Sequence, residues 1–217
     1  MLTTHASPSK RDGNELRILH VITSLARGGA QTHLLELVKG QRARGHHVEV
    51  AYLKDAEMVP DFVPANHRNG DSLGGLPIPI GIAGDDGFGR GVDGIVGVAG
   101  RVMAAITSTR PDVLHTHLLK ADALGAGVGW LARVGRSRAM PQAIISSKHN
   151  DEAALRRPVV ARVHGYLSRA DDAIICCSDH VAKYVTTVGR APADRIRRVY
   201  YGIDLARPID LGAERRA

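Results

Sequence analysis

Short apolar runs rich in β-branched residues alternate along this chain with longer segments whose apolar positions recur at helical spacing. RILHVIT (17–23) has the composition of a strand buried on both faces. AQTHLLELVKGQRARG (30–45) then places Leu34, Leu37 and Val38 on one helical face and ends at Gly45, a helix-stopping glycine. HVEVAYL (47–53) predicts a second strand. Residues 55–90 are rich in glycine and proline, with LPIPIGI (76–82) as a third strand. GVDGIVGVAGRVMAAITSTR (91–110) reads as a helix, PDVLHTH (111–117) as the fourth strand and LLKADALGAGVGWLARV (118–134) as a helix. QAIISS (142–147) is the fifth strand, followed by a helix across 152–169. DDAIICCS (171–178) is the sixth, followed by a helix over 179–188, and RIRRVYYGI (195–203) is the seventh. This alternation predicts an α/β fold: a Rossmann-like parallel sheet of about six or seven strands with helices on both faces. Ligands on such sheets bind beyond the carboxyl ends of the strands, so the residues just after each strand carry the candidate chemistry.

Composition narrows the class. Of the 217 residues 44% are hydrophobic and 24% charged, enough to bury a core, and aromatics at 4% make that core aliphatic. No run reaches the ~18 apolar residues that span a bilayer. Residues 1–14 are polar and aperiodic and predict a disordered tail with no secretory leader. Cys176 and Cys177, the two cysteines, sit in an apolar run as reduced buried thiols, which points to the cytoplasm. The net charge is +7, with basic clusters at 132–138, 155–157 and 195–198. These suit nucleic acid, an anionic membrane surface or phosphorylated substrates, with a plain solvated arginine-rich surface as the alternative. No aromatic residues are interleaved with them and no nucleic-acid module is present, which disfavours nucleic acid.

Gly28-Gly29 follows the first strand and opens the first helix. Glycine lets a ligand approach the backbone, and the free N–H groups of a helix start attract anions. The alternative is a plain tight turn. The spacing is not that of a nicotinamide-binding G-x-G-x-x-G; the literal match at Gly89–Gly94 follows a loop, where that motif has no meaning. His115 and His117 face the same way in an extended strand, but no cysteine or carboxylate spacing completes a metal site, so no metal is expected. A histidine at a strand's carboxyl end suits a hydrogen bond to a substrate hydroxyl; a satisfied core histidine is the alternative, and fits His115 better than His117. SSKHND (146–151) ends the fifth strand. Asn150 or Asp151 is a natural helix N-cap there, while Lys148 and His149 are placed to meet the same cleft. Ser178 or Asp179 caps the helix after the sixth strand. No nucleophile elbow, Walker A loop or catalytic carboxylate pair can be assembled.

Together these segments resemble the N-terminal domain of family 4 glycosyltransferases of the two-domain GT-B architecture. The carriers are residues 17–50, RPDVLHTHLLKADALG (110–125), ISSKHNDE (145–152), RADDAIICCSDHVAKYV (169–185) and RVYYGIDLARP (198–208). The resemblance implies a single GT-B N-terminal domain over 15–205, with 206–217 as a remnant of an inter-domain linker. It implies a retaining transferase that moves a sugar from a nucleotide-sugar to an acceptor hydroxyl without a metal or other cofactor. Carried over, Gly28 and Gly29 form the loop facing the donor diphosphate, Gln31 reaches the acceptor, and His117 lies near the reacting sugar as the catalytic candidate. Lys120, His149 and Asn150 line the acceptor side. In the family the donor-binding half follows the YGID junction, and this chain ends soon after Asp204. The expectation is therefore an enzyme half inactive without a nucleotide-binding C-terminal domain, in cis or in trans, cytoplasmic and docked on the inner membrane face to reach a lipid-linked or polysaccharide-precursor acceptor. A non-catalytic binding or interaction module of the same fold is the alternative.

Overall fold

The computed structural model describes residues 15–54, 56–63, 76–81, 91–135 and 141–202. Strands β1 (Arg17–Ser24), β2 (His47–Lys54), β3 (Ile78–Pro79), β4 (Val113–His117), β5 (Ala143–Lys148), β6 (Ala173–Cys176) and β7 (Ile196–Arg198) form one sheet. Helices α1 (Gly29–Ala43), α2 (Gly91–Thr109), α3 (Leu119–Val134), α4 (Pro158–Leu167) and α5 (Asp179–Thr187) connect them. The sheet order is β3-β2-β1-β4-β5-β6-β7 and every pairing is parallel. Strand order reverses between β1 and β4, where such sheets open a ligand crevice at their carboxyl edge.

Period-two alternation sorts the side chains onto two faces. Leu19, Val21, Leu114 and Ala51 pack with Val98, Val102 and Ile106 of α2 and Leu124 and Val128 of α3. Ile174 and Cys176 lie against Leu155, Val181 and Val185 on the same side. The opposite face carries Ile18 and Ile22 against Leu34 and Val38 of α1. Of the five described α-helices only α1 packs on this second face, where Phe62 of the 3₁₀ turn Val59–Phe62 joins it. Beyond it Val113, Ile145 and Ile175 are half-buried and bound a cavity of about 360 Å³.

Gly45 has φ +88°, the left-handed conformation that ends a helix and that glycine adopts without a Cβ clash. Ser178 caps α5, its Oγ accepting from the Val181 N–H at 3.2 Å. The helix expected across 152–169 is divided: Ala153–Arg156 form a 3₁₀ turn and α4 starts at Pro158. Proline has no N–H to donate to a preceding turn and its fixed φ suits a first helical position, so a helix begins there rather than running through. Asn150 and Asp151 are therefore not N-caps; Asp151 Oδ2 instead accepts from His180 Nε2 at 2.8 Å. Both cysteines are free thiols, and burial pushes Cys176 up to about 11. The expected tail over 1–14, the segment 206–217 and Gly89 of the G-x-G-x-x-G match lie outside the described residues. No helix is long and apolar enough to cross a membrane among the described residues.

Candidate functional site

The carboxyl edges of β1, β4 and β5 bring three turns together. After β1, Leu25–Gly28 lead into α1, whose start has no side-chain cap and no acidic residue in its first turn. Among the described residues no side chain accepts from its first N–H groups, which leaves them for another acceptor. The two glycines differ in role. A Cβ on Gly28 would stand 2.8 Å from Gln31 Oε1, so the buried Gln31 amide occupies the space that glycine leaves. Gln31 Nε2 donates to Ser24 O at 3.0 Å and ties the turn from beneath. A Cβ on Gly29 would meet nothing within 4 Å. Protein packing does not require that glycine; it keeps the helix start open to the outside.

Below the turn runs a chain of imidazoles. His20 of β1 lies beside His115 and His117 of β4 because β1 and β4 pair in register, His20 with His115 and Ile22 with His117. His20 Nε2 is 2.8 Å from Gln41 Oε1, and His20 Nδ1 is 3.0 Å from His117 Nε2. His117 Nδ1 is 3.2 Å from His149 Nε2, and His149 Nδ1 meets the Tyr201 hydroxyl. His115 Nε2 bonds Ser147 Oγ at 2.7 Å. At the rim the His33 ring stacks on Tyr201 with centroids 3.7 Å apart. Burial lowers His20 and His149 to about 4 and holds His115 and His117 well below the usual imidazole range. At neutral pH each ring is uncharged.

His20, His115 and His117 bring ring nitrogens within 4.8 Å of one another, the spacing of a candidate metal trio. Five of their six nitrogens already have hydrogen-bond partners. The rings of His115 and His117 stack with centroids 4.3 Å apart, which does not aim two in-plane lone pairs at one centre.

The other face of the same strands holds a second buried network. Lys148 pairs with Asp122 Oδ2, and both side chains are 5% exposed. Thr116 Oγ1 donates to Asp122 Oδ1 at 3.0 Å, and Ser146 Oγ donates to Asp171 Oδ2 at 2.9 Å. Burial, and then the nearby Asp122 charge, raise Asp171 to about 8, so it is mostly protonated at neutral pH. His164 Nδ1 donates to Gly189 O at 2.6 Å, which leaves its Nε2 facing Ser168 and Asp122.

The expected site residues fall into two groups. Gly28, Gly29, His149 and Asn150 reach the surface of the carboxyl edge, and Lys120 is exposed in the first turn of α3. Gln31 and His117 are buried, and both His117 nitrogens are engaged by protein groups. Lys148 does not meet the cleft: β5 extends to Lys148, and alternation turns it with Ser146 toward Asp122. His20, Gln41, His33 and Tyr201 were not anticipated. The signal for His20 was a lone polar residue inside an apolar strand; Gln41 and His33 carry none that distinguishes them on a polar helix flank.

A family model described as Glycosyltransferase Family 4 matches residues 27–207. Among solved structures, the chain is similar to Anabaena HepE, solved in complex with UDP and glucose, at 19% identity and a TM-score of 0.59, covering 87% of this chain and 45% of that one. A glycosyltransferase from Rickettsia africae matches at 12% identity and a TM-score of 0.56, over 87% and 44%. Sucrose-phosphate synthase from Thermosynechococcus elongatus matches at 15% and 0.54, over 87% and 49%. At these identities the likeness is one of fold, and the chain spans about half the length of each. No curated protein matches the chain by sequence.

Proposed function

The chain belongs to Glycosyltransferase Family 4, and from that premise we propose that it forms the acceptor-side half of a retaining enzyme that moves a sugar from a nucleotide-sugar to an acceptor hydroxyl. The observation that carries this is the uncapped start of α1, kept open at Gly29 where no protein atom would oppose a side chain. A helix N-terminus stabilises negative charge, and the departing nucleoside diphosphate gains charge as the sugar bond breaks. Gly28 and Gly29 face that diphosphate, with Gln31 holding the turn from below. His149, Asn150 and Lys120 line the acceptor side, and His117 acts one layer beneath them. No metal takes part on this reading; five of the six nitrogens of the histidine trio are already hydrogen-bonded. The nucleotide is held mainly by a second Rossmann-like domain, in cis or in trans.

Transfer assays with a panel of labelled nucleotide-sugars test the proposal. The 217-residue chain alone gives no product, and the form completed with a nucleotide-binding half gives product. Turnover by the chain alone would overturn the division of labour, and a completed form that binds nucleotide-sugar without turnover would point to a binding module. Within the active form, Gly29→Val lowers turnover by on the order of 100-fold through misplacement at the cleft. The same substitution leaves the urea midpoint of the isolated chain within error, because its side chain enters open space. An equal loss of stability and activity would remove the functional reading of Gly29.

We further propose that the enzyme works in the cytoplasm on an anionic membrane surface. Trp130 of α3 and Tyr166 of α4 are exposed and line one cavity of about 250 Å³ together with Arg169. Leu131, Val134, Val159 and Val163 are exposed on the same two helices, with Arg156, Arg157 and Arg162 nearby in sequence. Exposed apolar side chains beside arginines are the chemistry of interfacial binding. Trp130 is the single tryptophan, so its emission reports directly. Vesicles containing phosphatidylglycerol shift that emission to the blue, and neutral phosphatidylcholine vesicles do not. Unchanged emission with both lipids would exclude this surface.

A further inference from the structure

The hydrogen-bonded line from Gln41 to Tyr201 has a direction. An imidazole carrying one proton donates through one nitrogen and accepts through the other, so fixing one end of a line of neutral rings fixes every ring along it. Gln41 Oε1 faces His20 Nε2 at 2.8 Å, and a carbonyl oxygen only accepts. With the Gln41 amide in this orientation the proton of His20 is on Nε2, and its Nδ1 accepts from His117 Nε2–H at 3.0 Å. His117 Nδ1 then accepts from His149 Nε2–H at 3.2 Å. His149 is left with an unprotonated Nδ1, turned to the Tyr201 hydroxyl at the rim. A ring in the other tautomer would set two N–H groups or two lone pairs against each other inside the protein, an arrangement that buried polar groups avoid.

We propose that Gln41 and His20 are positioning residues that, through His117, fix the tautomer of His149 so that the rim presents a hydrogen-bond acceptor at its Nδ1. The outer end of the line is accessible where the inner end is not: His20 and His117 are fully buried, whereas His149 and Tyr201 are half-buried. Burial keeps the rings uncharged, which the one-way order requires, and it raises the Tyr201 phenol, which therefore keeps its proton and donates. An acceptor nitrogen at the rim takes a hydroxyl, from Tyr201 in this structure and from an alcohol or sugar ligand in its place. The use of this nitrogen, though not its existence, rests on the acceptor-side reading of the rim given above. The line also accounts for His117 being close to the site yet without a free nitrogen: it passes an orientation outward to His149.

Ring-nitrogen NMR of the ¹⁵N-labelled 217-residue chain, at mildly basic pH and without any sugar, reads the three tautomers directly. Signals are assigned by replacing one histidine at a time. The expected result is Nε2–H for His20, His117 and His149. Gln41 lines the half-open cavity, so Gln41→Lys is accommodated there and presents donors only. It reverses the line, and the His149 Nδ1 signal moves from the acceptor position to the N–H position. Gln41→Met removes the anchor and gives an averaged signal at His149. Leu37→Ala, on the same helix and lining the same cavity, disturbs packing and leaves all three tautomers unchanged. A wild-type His149 protonated on Nδ1, or on both nitrogens, overturns the proposal. So does a His149 signal unmoved by Gln41→Met, a criterion that stands even where Gln41→Lys does not fold. Because no substrate is used, the tautomer order and the transferase reading fail separately.

Discussion

Below pH 6.5 the protein is expected to lose stability steeply, with His20 alone contributing about 3 kcal/mol. His20 titrates near 6.5 when unfolded and at about 4 when folded, because burial, with the Arg42 and His33 charges, opposes protonation. Between those values the unfolded chain binds more protons than the folded one. The stability is therefore fully present above pH 6.5 and is lost as pH falls through about 4. His149 covers the same window, and His115, His117, His33 and His164 are shifted in the same direction by burial. These contributions do not simply add, since His20, His117 and His149 share hydrogen bonds.

Asp171 works against them. Its carboxyl is raised from 3.8 to about 8, so the stability it contributes is present below 3.8 and is lost as pH rises through 8. One aspartate acts against six histidines below 6.5, and acts without them above. Stability should thus peak close to pH 6.5 to 7, with a steep acid side and a shallower basic side. Urea midpoints measured from about pH 5 to about pH 8 check this. A flat profile through the acid range would mean that the imidazoles are solvated, and His20→Gln should flatten the acid side without moving the basic one.

The sheet was legible because buried parallel strands need near-continuous apolar runs, and RILHVIT, DVLH and AIICC are short, carry β-branched residues and are separated by helical patterns. What lies across the sheet was not. His20 and His117 stand 97 positions apart, and only the β1–β4 register brings them together. The equal parity of His115 and His117 was readable, but the residues covering that face come from α1 and from the segment after β7. SSKHND read as a polar turn beginning at the end of a strand. In the structure β5 keeps its alternation to Lys148, so a residue that looked turned toward the ligand is turned into the core. The parity that would have said so was in the sequence: Ile144, Ser146 and Lys148 share a face. No local pattern announces that a lysine on that face has Asp122 waiting for it.

Lys148→Met is accordingly expected to cost about 3–5 kcal/mol, the loss that follows when one partner of a buried ion pair is removed. Lys148 and Asp122 are each 5% exposed, so water does not replace the missing charge. Thr116 Oγ1 would remain on Asp122, but a neutral hydroxyl does not balance a carboxylate. The Lys148 charge also holds Asp171 down, so its removal pushes that carboxyl further up and extends its destabilising window to higher pH. Against a typical total of about 5–15 kcal/mol, the single variant would be marginal at room temperature. Adding Asp122→Leu to Lys148→Met should restore most of the loss, because the cost lies in the stranded charge rather than in the missing attraction. Denaturant unfolding of the two variants decides the matter. A single-variant loss below about 1 kcal/mol is the signature of a solvent-exposed pair and would place Lys148 in the cleft after all. If the large loss is found, any effect of Lys148→Met on sugar transfer in the completed enzyme should follow the folded fraction and leave KM unchanged.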